Sequence, residues 1–230
     1  MTPFLLIPGL NANARVYRDA IETLWRFGPV AVANHLEGEG VGGIAANILR
    51  DAPPSFALAG FSMGGYIAFE ILRQAPERVT RLALIDTSAR ADSPEATELR
   101  RRRIEATKAG KFGLVVQQSF AGTVHPDHIE DQTLLGTHRA MAEANGPEVY
   151  IRHQLAIIAR PDSRGELQHV GVPTVVIVGE SDQIAPVDVA REMAANIPAS
   201  HLVIVREAGH MALLEQPAAV NAALADWAGR

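Results

Sequence analysis

Short, nearly continuous apolar runs alternate with longer stretches whose apolar residues recur every three or four positions. The runs are Phe4 to Ile7, Val30 to Ala33, Ser55 to Ala59, Arg81 to Asp86, Pro173 to Gly179 and His201 to Val205. Phe4 to Ile7 and Ser55 to Ala59, short and continuously apolar, predict buried strands, the first buried on both faces, and the remaining runs also read as strands. Helical spacing falls between them, over about Ala14 to Trp25, Ile44 to Arg50, Gly65 to Arg73, Val187 to Asn196 and Glu215 to Trp227. The glycine-rich segment His35 to Gly43 reads as a loop. This alternation predicts an α/β fold with a doubly wound, mainly parallel sheet. It stops between Ser88 and Arg164, where only helical stretches occur: Pro94 to Lys108, Phe112 to Ser119, Asp127 to Glu143 and Pro147 to Ile158. A helical cap, residues 88–164, is therefore expected as an insertion into a core of residues 1–87 and 165–230, above the carboxyl ends of the strands.

Those strand ends carry the candidate chemistry, because open parallel sheets bind ligands there. Gly60-Phe61-Ser62-Met63-Gly64 joins a predicted strand to a predicted helix, the context in which Gly-x-Ser-x-Gly reads as a nucleophile elbow. Gly179-Glu180-Ser181-Asp182 follows a second strand, and Arg206-Glu207-Ala208-Gly209-His210 follows the last. The chain order Ser, Asp, His is the one expected for an elbow on this kind of sheet. A serine hydroxyl needs a base, and His210 fits that role near neutral pH. Asp182 would orient the imidazole and stabilise its charged form, with Asp86 as the rival acid because it too ends a strand. The amide of Met63 and that of Leu10, after the first strand, are the expected oxyanion donors.

Composition narrows the classes. At 230 residues, 47 % apolar and 20 % charged, the chain has the material for one sizeable core. A net charge of −5 gives no general attraction to nucleic acid or to anionic membrane. With no cysteine, thiol catalysis, disulfides and thiolate metal sites are excluded. No apolar run reaches membrane-span length, and the amino terminus lacks the basic start and cleavage site of a signal peptide, so the cytoplasm is the expected compartment.

Three further patterns carry less. His125-Pro126-Asp127-His128, with Asp131 nearby, lacks metal-ligand spacing, and no metal is expected. Arg100 to Arg103 stand among Glu95, Glu98 and Glu105, which predicts a solvated helix face with local ion pairs. Gly38 to Gly43 lacks the lysine of a phosphate loop and the spacing of a dinucleotide fingerprint. His35, in a strand-end loop, is expected at the surface, with the pocket mouth as the alternative, and His138, His153, His169 and His201 as ordinary helix, loop or strand-edge residues.

Ile7-Pro8-Gly9-Leu10, Gly60 to Gly65, Gly179 to Asp182 and Gly209-His210 together resemble the α/β-hydrolase superfamily over nearly the whole chain. The resemblance is to small bacterial carboxylesterase-like members, whose elbows often read Ser-Met-Gly-Gly. It differs in having Pro8-Gly9 where many relatives have His-Gly, and the antiparallel edge pair of larger relatives is expected to be absent. The resemblance implies a cofactor-independent serine esterase, with Ser62, Asp182 and His210 as triad and Leu10 and Met63 as oxyanion donors. Its small-molecule substrate, an alkyl ester, lactone, thioester or aliphatic polyester, would be cleaved through an acyl-enzyme and pack on Phe112, Leu114, Phe120, Met141 and Tyr150 of the cap. Carbon–carbon bond hydrolysis of a dienoic keto acid is the alternative, and a cationic cap residue facing the pocket would favour it. Acyl transfer or perhydrolysis with the same triad, and a ligand-binding role on a hydrolase scaffold, are the other classes. The serine argues against dehalogenase and epoxide hydrolase activity, which relatives of this fold perform with an aspartate at the elbow.

Overall fold

The computed structural model describes residues Met1–Arg230. Six parallel strands form one sheet: β1 (Phe4–Ile7), β2 (Val30–Val32), β3 (Phe56–Phe61), β4 (Val79–Ile85), β5 (Thr174–Gly179) and β6 (Ser200–Val205), in the order β2-β1-β3-β4-β5-β6. Registry is regular across the centre, with Leu6 beside Ala59, Ala59 beside Ala83 and Leu84 beside Val176. β1, β3 and β5 are buried at every position, as their unbroken apolar runs require.

The strand period of two splits this core into two layers. Phe4, Leu6, Ala59, Phe61, Val175 and Ile177 point to one face, where α1 (Arg18–Leu24) and α10 (Pro217–Gly229) bring Leu24 and Trp227. Leu5, Ile7, Leu58, Leu84, Val176 and Val178 point to the other. There α2 (Gly40–Asp51), α3 (Met63–Gln74) and α8 (Val187–Asn196) pack. The winding direction reverses between β1 and β3, which opens a crevice at their carboxyl ends. Gly9-Leu10 and Ser62 flank that crevice.

Helices alone lie between β4 and β5: α4 (Pro94–Ala106), α5 (Phe112–Phe120), α6 (Gln132–Asn145) and α7 (Pro147–Ile158). The segment leaves and rejoins the sheet at one place, since Ser163 N donates to Ala89 O at 2.7 Å. No helix is long and apolar enough to cross a membrane.

Three elements differ from expectation. α2 starts at Gly40, not Ile44, because Val41, Ile44, Ala45 and Ile48 form a buried stripe that outweighs the low helix propensity of Gly40, Gly42 and Gly43. α6 starts at Gln132, not Asp127, because the Asp131 carboxylate caps it by accepting from Thr133 N and Leu134 N. The last helix is two, α9 (Ala212–Glu215) and α10, divided at Gln216 before Pro217, which has no amide to continue the first.

Candidate active site

Ser62 lies between β3 and α3 with φ 53° and ψ −117°, a conformation that costs an L-residue strain and is held by its neighbours. Its amide donates to Ile85 O at 2.9 Å, and its carbonyl accepts from Thr87 Oγ1 at 2.7 Å. The turn is closed tightly. A Cβ on Gly60 would stand 2.5 Å from Gly64 O, and one on Gly64 would overlap the carbonyl oxygen of Ile7. Met63 is the first residue of α3, so its amide has no partner within the helix and lies beside the serine. Leu10 lines the cavity with Ser62.

Asp182 and His210 come to this serine from the loops after β5 and β6. His210 Nδ1 lies 2.8 Å from Asp182 Oδ2, and His210 Nε2 lies 2.8 Å from Ser62 Oγ. With Nδ1 donating to the carboxylate, Nε2 is left to accept the serine hydroxyl. The second Asp182 oxygen accepts from Ile184 N at 2.7 Å and Ala185 N at 2.9 Å. Burial alone would raise the Asp182 pKa, but the His210 imidazole and these two amides outweigh it and hold it below the ordinary carboxylate value.

Asp86 is fully buried, and its Oδ1 accepts from Gly179 N at 2.8 Å, while Oδ2 has no partner. Burial, reinforced by the nearby Asp182 charge, pushes its pKa well above the ordinary value. It makes no hydrogen bond to His210, so of the two candidate acids only Asp182 meets the imidazole.

Other supports were not anticipated. Glu215, whose side chain is fully buried, accepts from Gly209 N and Met211 N, the amides on either side of His210. Its other oxygen accepts from His125 N at 2.6 Å and lies 2.8 Å from His128 Nδ1. The carboxylate thus joins the histidine loop to the loop after α5, which is the use the structure makes of the His125–His128 cluster. His35 is buried rather than exposed: its Nε2 lies 3.3 Å from Gly9 O, and its ring stacks on His153 at 5.0 Å. Tyr17 donates to Ile7 O at 2.9 Å and Asn145 Nδ2 to Ala12 O at 2.9 Å, so core and helical segment together fix the loop after β1. Spacing along the chain carried no sign of these partners, because each reaches its contact through the tertiary fold.

A cavity of about 400 Å³ opens over Ser62. Of the five expected lining residues only Tyr150 lines it. Phe112 packs behind Tyr150, with ring centroids 5.4 Å apart, and borders a separate depression. Leu114 is half exposed to solvent, and Phe120 and Met141 are buried against the core beneath the helices. α4 contributes Ala96, Leu99, Arg100 and Arg103 to the lining, so the arginine run is not the purely solvated face expected of it.

Known proteins agree with this architecture. A family model described as the alpha/beta hydrolase fold matches residues 53–217. The chain is 26 % identical to a pimeloyl-[acyl-carrier protein] methyl ester esterase of Aliivibrio salmonicida, over 90 % of this chain and 84 % of that protein. It is similar to the structure of a thermophilic esterase from Thermogutta terrifontis, with 29 % identity and a TM-score of 0.87 over 99 % of this chain and 89 % of that one. It also shares its fold with the enol-lactonase from Burkholderia xenovorans, at 21 % identity and a TM-score of 0.88, over 100 % of this chain and 92 % of that one. A matching family model over most of the chain, on a parallel sheet with a serine elbow at its switch point, makes this protein a member of the alpha/beta hydrolase family.

Proposed function

We propose that the protein is a serine hydrolase of carboxylic esters that works through an acyl-enzyme. The observation that carries this reading is the pair of 2.8 Å hydrogen bonds linking Ser62, His210 and Asp182, with Ser62 and His210 lining a cavity. Relatives named as esterases support it. His210 Nε2 takes the Ser62 proton as Oγ attacks the ester carbonyl, and Asp182 stabilises the imidazolium formed. The amides of Met63 and Leu10 receive the negative oxygen of the tetrahedral intermediate. Return of the proton to the leaving alcohol frees it. Water, deprotonated by the same nitrogen, then releases the acid and regenerates Ser62. The partly enclosed cavity suits a small ester or lactone better than a polymer, which needs an open groove. Residues 88–164 act as the cap that shapes this cavity. No residue is assigned to a cofactor.

The arginines on the cavity wall favour one second reading, cleavage of a carbon–carbon bond in a dienoic keto acid by the same triad. Initial rates on p-nitrophenyl esters of increasing acyl length, with Ser62→Ala beside the native protein, test the first. Ser62-dependent turnover, lost at least ~10⁴-fold in the variant, is expected. Folded protein that cleaves no ester but cleaves the keto acid would replace it with the second.

A further inference from the structure

The four consecutive arginines lie in α4, and its period of 3.6 residues divides them. Arg101 and Arg102 face water, with Arg102 pairing with Glu98 at 3.0 Å. Ala96, Leu99, Arg100 and Arg103 recur at i, i+3, i+4 and i+7 and line the cavity over Ser62. The two inward charges are differently employed. Arg100 Nε stands 3.1 Å from Asp92 Oδ1, and its Nη1 donates to Gln154 at 2.9 Å. Asp92 also holds Arg160 at 2.7 Å, so one carboxylate already serves two guanidiniums. Arg103 is half-buried, yet its guanidinium enters no ion pair or hydrogen bond with another side chain.

Nothing acidic lines the cavity to balance Arg103. His138, also on the lining, is neutral, because burial lowers its pKa to about 4. A planar guanidinium pairs with a carboxylate through two parallel hydrogen bonds, and in a partly desolvated cavity that attraction exceeds its value at an open surface. Such an anchor, away from the bond being cleaved, would orient the acyl chain over the nucleophile.

We propose that Arg103, with Arg100 beside it, binds a carboxylate at the far end of the substrate's acyl chain, so that the preferred substrates are monoesters of dicarboxylic acids. The proposal rests on the esterase reading for turnover, but not for binding. The test compares kcat/KM for monomethyl esters of four- to eight-carbon diacids with that for the corresponding dimethyl esters. At the best chain length the native protein favours the monoester by ~10-fold or more, as expected for a charge-assisted pair. Arg103→Gln brings the ratio to about 1, chiefly through KM, Arg103→Lys recovers part of it, and Arg101→Gln on the outer face leaves it unchanged.

Calorimetric titration of the same monoesters into Ser62→Ala reads the anchor without turnover. Binding there, weakened ~10-fold or more by adding Arg103→Gln, is the expected result. A native ratio near 1, a ratio that survives Arg103→Gln, or no binding of any monoester to Ser62→Ala overturns the proposal. Arg103-dependent binding without Ser62-dependent cleavage supports the anchor and overturns the esterase reading instead.

Discussion

Asp86 and Asp182 follow neighbouring strands at the same edge of the sheet, and their surroundings push them in opposite directions. Asp182 gains an imidazole and two amides, and its carboxylate form is favoured despite burial. Asp86 is buried against one amide and the Asp182 charge, and its neutral form is favoured. Asp182→Asn is therefore expected to lower kcat by about 10⁴-fold. Its oxygen stays with the Ile184 and Ala185 amides, and an uncharged NH₂ donor then faces His210 Nδ1, which favours the wrong tautomer. Asp86→Asn keeps the acceptor for Gly179 N, so turnover should stay within about threefold of native. The same change should raise Tm, and by more at pH 8 than at pH 4. A raised folded pKa means that the native protein holds a proton the unfolded chain has released, a cost present above the unfolded carboxylate pKa and removed in the amide. Activity and melting curves for both variants check this, and a larger loss of activity in Asp86→Asn would exchange their roles. Sequence places both acids after strands, and the Gly179 to Pro186 segment, read as a loop reaching across the site, favours Asp182. What separates them is the loop from Glu180 to Pro186, whose amides at Ile184 and Ala185 aim Asp182 across the crevice.

At the scale of the element, the joint between β3 and α3 is where backbone meets backbone. A methyl group on Gly64 would occupy the position of the Ile7 carbonyl, so relief requires β1 and α3 to move apart. Gly64→Ala should then cost about 1–3 kcal/mol or more in urea unfolding, and activity should fall further than stability, because Met63 and Leu10 would separate. A variant with native stability and rate would show that the joint has slack. This element was legible because glycine spacing, strand and helix all pointed to one turn. The helices between β4 and β5 were legible only in part, since period identifies the faces of a helix without saying which face meets the cavity. Hence Phe120 and Met141 are buried below it, while Arg100 and Arg103 line it. The start of α2 is hidden in the sequence because Gly40, Gly42 and Gly43 mask the buried stripe that begins at Val41. The burial of His35 depends on a ring from α7, which no local pattern around His35 encodes.

Across the whole molecule, three histidines are buried neutral. Burial, helped by the neighbouring His153, lowers His35 to about 3; burial also lowers His138 and His153 to about 4 each. Below pH 6.5 the unfolded chain takes up protons at these sites that the native state refuses, so stability falls as pH falls. Each site removes up to ~1.4 kcal/mol per pH unit between about pH 6 and pH 4. Tm measured from pH 7 to pH 4 should decline steeply, and His138→Gln should make the decline shallower. An equal slope in the variant would remove His138 from this account. The doorway formed by Ala89 and Ser163 has a consequence of another kind, for how such a protein can change over generations. Ser62, Asp182 and His210 all lie outside residues 88–164, and the segment enters and leaves through one backbone hydrogen bond. Because the entropy of closing a loop grows only with the logarithm of its length, insertions or exchanges between those two residues leave the pairing of β4 with β5 undisturbed. Selectivity can therefore drift through rewriting of α4 to α7 while the hydrolytic chemistry is inherited intact.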